Sequence, residues 1–128
     1  SPIKSSRRLP LQPASDANVA LSVDLRDGRR DLLISTDAAG TVTQSDEKLA
    51  TDARFAVLRR DANGKPVMIT LSQGKSFAAA GLAVELTQVV DSLQLRFGDD
   101  GAAKVVAGDA KLIRTCTIDG KPARLDGP

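Results

Sequence analysis

Carboxylate and amide side chains alternate in Asp61-Ala62-Asn63-Gly64 as they do at the start of a calcium loop, where oxygens at every second position face the ion. The pattern then breaks. Lys65 stands where the next oxygen ligand belongs, Pro66 takes the place of the required glycine, and no Glu closes the loop, so the stretch reads as a hairpin corner. Arg54, Arg59, Arg60, Arg96 and Arg114 lie in segments of strand character, and guanidinium forks match carboxylates and sulfates. Four of them, Arg54, Arg59, Arg60 and Arg96, are the candidate contacts to an acidic polysaccharide or a protein partner. Strand parity places Arg54 and Arg60 on one face and Arg59 on the other, which favours paired surface charge over one binding face. A glycosidase-type carboxylate pair would draw on Glu47 or Glu85, the only two Glu, or on Asp residues that mostly sit at turns. Neither source gives a convincing catalytic pair. Cys116 is the single cysteine, so no intrachain disulfide forms, and a lone strand Cys reads as a small core residue.

The chain has no His, Tyr or Trp. General acid-base chemistry falls to carboxylates or Lys, zinc and facial-triad metal sites lose their commonest ligand, and no catalytic, cofactor-binding or metal residue is assigned. Stacking platforms for sugars or bases are reduced to Phe55, Phe77 and Phe97, which read as core side chains. A formal net charge of +2, with Arg and Lys dispersed among Asp, gives no broad field for nucleic acid. No apolar run approaches the roughly 18 to 20 residues of a membrane helix, so no membrane partner is expected.

The elements that must position these residues have period two. In Val19-Ala20-Leu21-Ser22-Val23-Asp24-Leu25 the larger apolar residues alternate with Ala20, Ser22 and Asp24, the pattern of a half-buried strand. The same alternation returns at Val67, Ile69 and Leu71, at Leu82, Val84 and Leu86, and at Leu93, Leu95 and Phe97. Further strands are expected at 31–35, 54–58 and 111–118, with one longer strand through 50–60. Turn signals punctuate the chain at Asp27-Gly28, Asp37 to Gly40, Ser45-Asp46, Asn63-Gly64, Gln73-Gly74, Gly81, Asp91-Ser92, Asp100-Gly101, Gly108 and Asp119-Gly120. Asn-Gly and Asp-Gly pairs point to type I′ hairpin turns, whose two central residues need positive φ. Such regular punctuation predicts an all-β fold, an antiparallel β-sandwich or rolled sheet of about nine to eleven short strands.

Residues 1–16, with Pro2, Pro10 and Pro13, are expected as an extended arm or linker, and residues 17–128 as a single β-domain. A start lacking both an initiator Met and an apolar signal core is expected of a processed chain or a piece of a longer one. Lys4, Arg7 and Arg8 read as a solvated tail rather than a contact for an anionic partner. Residues 55–77 and 93–112 share a loose pattern of apolar alternation, a basic residue, an Asp/Asn-Gly corner, a return strand and a second Gly, as two hairpin units would.

Five features recur in order: Asp31 to Ser35, Thr41-Val42-Thr43, Asp52-Ala53-Arg54-Phe55-Ala56-Val57-Leu58, the Asn63-Gly64 corner, and Gly74-Lys75-Ser76-Phe77. In this rhythm the stretch resembles the C-terminal β-domain of heparinase II/III-like polysaccharide lyases. The resemblance implies a non-catalytic accessory or structural domain of a larger, periplasmic or secreted bacterial polysaccharide-degrading protein, lying beside a catalytic domain. The His- and Tyr-centred catalytic set of such lyases has no counterpart here. The alternative expectation is a binding module that holds an acidic polysaccharide or a protein chain through an Arg-bearing strand face or an open strand edge.

Overall fold

The computed structural model describes residues 1–37 and 40–126; Ala38 and Ala39, inside the expected turn at 37–40, and Gly127 and Pro128 lie outside them. The described residues form fourteen strands and one 3₁₀ turn at Ala110–Leu112. The strands are β1 Ile3–Leu9, β2 Val19–Leu25, β3 Arg30–Ser35, β4 Val42–Gln44, β5 Leu49–Thr51, β6 Phe55–Arg60, β7 Pro66–Ser72, β8 Gly74–Ala79, β9 Leu82–Val90, β10 Leu93–Phe97, β11 Ala102–Ala107, β12 Ile113–Ile118, β13 Lys121–Pro122 and β14 Arg124–Asp126. The all-β, two-sheet expectation holds, and the count exceeds nine to eleven because strands of two or three residues are too short to show an alternation.

Two sheets stack like a sandwich. The larger has the order β1-β2-β3-β6-β7-β10-β11-β14 and the smaller β13-β12-β9-β8-β5-β4. All pairs are antiparallel except β11 with β14. The chain therefore lays one hairpin in the large sheet, one in the small, and repeats: β2-β3, β4-β5, β6-β7, β8-β9, β10-β11, β12-β13. The two units read in the sequence are two of three.

Their identity extends to the corners. At Leu25–Arg29, Asp61–Lys65 and Gly98–Ala102 the first residue's N–H donates to the fifth residue's carbonyl, and the fourth residue, always Gly, donates back to the first. Gly28, Gly64 and Gly101 have φ of 92°, 82° and 79°. This is a type I turn closed by a glycine bulge, so the expected type I′ geometry is corrected for Asp27-Gly28, Asn63-Gly64 and Asp100-Gly101. The Asp side chain explains the preference: Asp27, Asp61 and Asp100 each accept a backbone N–H two residues on. The small sheet does use two-residue loops with both central φ positive, at Ala80-Gly81 and Asp119-Gly120.

The single long strand expected through 50–60 is divided. Leu49–Thr51 belongs to the small sheet and Phe55–Arg60 to the large one. Between them Asp52 Oδ1 accepts the amides of Lys75 and Ser76, and Ala53 is buried so closely under Gly74 that a Cβ there would lie 2.5 Å from Ala53 Cα. No Gly or Pro marks this switch, so the sequence hides it.

Three of the four alternating segments bury the apolar set: Ile69 and Leu71, Leu82, Val84 and Leu86, and Leu93 and Leu95 lie in the core. The fourth is inverted. On β2, Ala20 and Ser22 are buried while Val19, Leu21, Val23 and Leu25 are half-exposed. The first sixteen residues account for the space: Ile3–Leu9 is a strand, and the segment is built into the fold. β1 pairs with β2, Gln12 exchanges two 2.9 Å backbone hydrogen bonds with Thr43 of the small sheet, and Leu9 and Leu11 are buried in the core. Asn18 fastens this corner, donating from Nδ2 to the Pro13 carbonyl and accepting from the Thr36 hydroxyl.

Candidate functional site

The inverted strand leaves an apolar patch on the outer face of the large sheet. Register aligns Leu21 with Leu33 and Leu33 with Val57; Val19 lies beside Ser35 and Ser35 beside Phe55; Val23 lies beside Asp31 and Asp31 beside Arg59. Phe55 is 42% exposed, which corrects its reading as a core side chain; Phe77 is buried and Phe97 packs against the core. A sheet with one solvated face normally turns polar residues outward. Here both faces of β2, β3 and β6 carry apolar side chains.

The four candidate arginines divide. Arg59 and Arg96 share the outer face, each beside Met68 of the strand between them, about 10 Å apart at two interstrand spacings. Arg59 forks onto Asp31 through Nε and Nη2, both at 2.8 Å, and this bond raises its pKa. Arg96 is exposed next to Lys104, and neither has an ion-pair partner among the described residues. Arg54 is exposed at the entry to β6, outside the patch. Arg60 turns inward, where Nη1 meets Glu47 Oε2 of the β4–β5 loop at 3.2 Å. Both side chains are nearly buried, at 10% and 12% exposure, and Arg60 Nε and Nη2 have no partner among the described residues. Arg60 is thus a tie between the sheets and not a surface contact. Strand parity puts Arg60 on the face of Ala56 and Leu58, but a strand ending in two arginines does not show that the second stays buried; Glu47, reaching it from the other sheet, decides that.

Other candidates sit apart. Asp61 Oδ1 accepts the amides of Asn63 and Lys65, so that oxygen of the calcium-like stretch is engaged by its own turn. No cluster of three metal-ligating side chains occurs among the described residues. Glu85 is exposed on β9, bonded to the Ser76 hydroxyl, while Glu47 is held between the sheets, so the two Glu do not make a catalytic pair. Cys116 is buried, which raises its thiol pKa above the ordinary value. Arg114 is exposed on β12.

The corners at 63–66, 98–101 and 118–121 come together around one cleft. The cleft, of about 660 Å³, is lined among others by Lys65, Phe97, Asp99, Ile118, Asp119 and Lys121. Its far wall is the segment 122–124, where the chain crosses from the small sheet to the large one. The acids and bases around it balance, so it carries no strong field.

No family model, curated protein or solved structure matches this chain.

Proposed function

We propose that this chain is a non-catalytic accessory or structural β-domain of a larger, lyase-like polysaccharide-degrading bacterial protein, exported to the periplasm or secreted, with the outer face of its large sheet packed against an adjacent catalytic domain. The observation that supports docking is the outward-facing set Val19, Leu21, Val23, Leu33, Phe55 and Val57, a contiguous apolar surface of the kind that marks protein contact. The kind of parent protein rests on the resemblance of residues 31–77.

The test combines the full-length open reading frame with one double variant. Leu21→Lys with Val57→Lys should leave the unfolding midpoint of the isolated 128-residue chain nearly unchanged and reduce its binding of an apolar dye. The same pair in the parent protein should lower the midpoint of the whole. An equal loss in both forms would show that these side chains serve only the domain itself. A reading frame with no second domain would end the proposal.

A second reading has its own support. Arg96 and Lys104, unpaired among the described residues, lie on the same outer face, two and three strands beyond β6, with Arg59 between them and the apolar surface. On this reading the face holds an acidic polysaccharide, and Arg96→Glu should abolish salt-sensitive retention on heparin or alginate. A chain that passes both columns unretarded removes it.

A further inference from the structure

We propose that the open edge of β1 docks an extended, acidic peptide as a ninth strand of the large sheet. Of the four edge strands among the described residues, β1 has seven residues, whereas β4, β13 and β14 have three, two and three. The edge of β4 already holds Gln12. Six of the seven β1 residues are exposed, and its outer row of N–H and C=O groups has no strand beside it among the described residues. Pro2 and Pro10 bracket the strand, and since proline donates no N–H they bound the dock at seven residues, about 24 Å of extended chain.

Charge selects the guest. The side chains of β1 include Lys4, Arg7 and Arg8 and no acid. Beside Arg7 lies a hollow of about 410 Å³, lined also by Ser5, Ser6, Ser22, Asp24 and Arg30, where the small sheet leaves the corner of the large one uncovered. Asp24 is engaged there by Arg30 at 2.6 Å and by the Ser5 hydroxyl at 3.2 Å. Arg7 has no ion pair among the described residues. From Ser5 onward an added strand sets alternate side chains beside Ser5 and Arg7, over the hollow, and the others beside Ser6 and Arg8, while Lys4 sits at the register shift between Ile3 and Ser5 at the start of the strand. Like charges directly opposite one another destabilise a strand pair and opposite charges favour it. The three cations therefore repel a second copy of β1 or any basic strand, the usual protection of an edge, and leave an acidic strand as the favoured addition.

Three labelled heptapeptides test this against the isotope-labelled chain by amide resonance shifts and fluorescence anisotropy. One alternates Glu and Val, one Lys and Val, and one Glu and Pro. The Glu-Val peptide should bind saturably, shift the β1 amides, and lose at least about tenfold in affinity when Lys4→Glu and Arg7→Glu are combined. The Lys-Val peptide should not bind. Absence of β1 shifts at millimolar Glu-Val peptide, or equal binding by the variant, overturns the proposal. So does equal binding of the Glu-Pro peptide, which has the charge without the strand-forming amides. All three results are independent of the outer-face reading, whose residues the variant leaves intact.

Discussion

Glu47→Gln should be among the most damaging single changes of one charged group in this chain. The substitution keeps the shape of the side chain and the loop bonds of its backbone, where the amide donates to Gln44 Oε1 and the carbonyl accepts from Ala80. It removes the countercharge of a guanidinium that is nearly out of solvent. At 3.2 Å and an effective dielectric near 20 the attraction is about 5 kcal/mol, and breaking one side of a buried pair costs about 3–5 kcal/mol. Arg60 already has two nitrogens without partners among the described residues and one ion-pair contact to Glu47, so the lower end applies, about 3 kcal/mol. For 128 residues that is a fall of about 10 °C in the unfolding midpoint. With no Trp or Tyr to report unfolding, far-UV circular dichroism in urea is the suitable assay, with the slope unchanged and the midpoint lowered. Changing both partners, Glu47→Leu with Arg60→Met, removes the orphaned charge and should recover most of the loss, since a buried pair is often replaceable by apolar side chains of similar volume. A single-variant cost below about 0.5 kcal/mol would mean that the pair behaves as an exposed one, and a double variant as unstable as the sum of the singles would refute the coupling.

Ala80 occupies the first central position of a type I′ turn with φ of 50°, so Ala80→Gly should raise stability by about 0.5–1 kcal/mol in the same urea titration. Gly74→Ala should cost about 2 kcal/mol or more, because the new Cβ would meet the Ala53 backbone at 2.5 Å and the two sheets would have to shift. The acid limb follows from Asp24, Asp27 and Asp100, whose pKa values are lowered by the Arg30 side chain, the Arg29 amide and the Ala102 amide respectively. Values lower in the folded than in the unfolded chain give stability that is present above about pH 4 and is lost as pH falls through the folded values. With no His, the midpoint should stay flat between about pH 5 and 8 and decline below about 4. The Cys116 thiol should resist alkylation until the chain unfolds, and modification at the rate of a free thiol under native conditions would contradict its burial.

Much of the strand layout was legible because alternation and turn chemistry are local. The Asp and Asn corners were visible as residue types, but the geometry of each needed the sheet. The same Asp-Gly pair closes a glycine-bulge turn at 100–101 and a type I′ turn at 119–120, because strand pairing fixes how many residues the loop spans. Of the candidate arginines, parity separated Arg59 from Arg60, but it could not say that Arg60 points between the sheets, since Glu47 reaches it from the other sheet. The first sixteen residues carry strand β1. That Leu9 and Leu11 complete the core could not be read, because their partners lie in strands of both sheets.

By itself the sequence determined an all-β chain with its corners in place and without a histidine. Only the tertiary structure decided which face of each strand is buried. A period of two says that a strand has an apolar side; it does not say which side meets the second sheet. On β2 the answer is the side with Ala20 and Ser22, since Leu9 and Leu11 occupy the adjoining core, and that choice puts Leu21 and its neighbours on the outside.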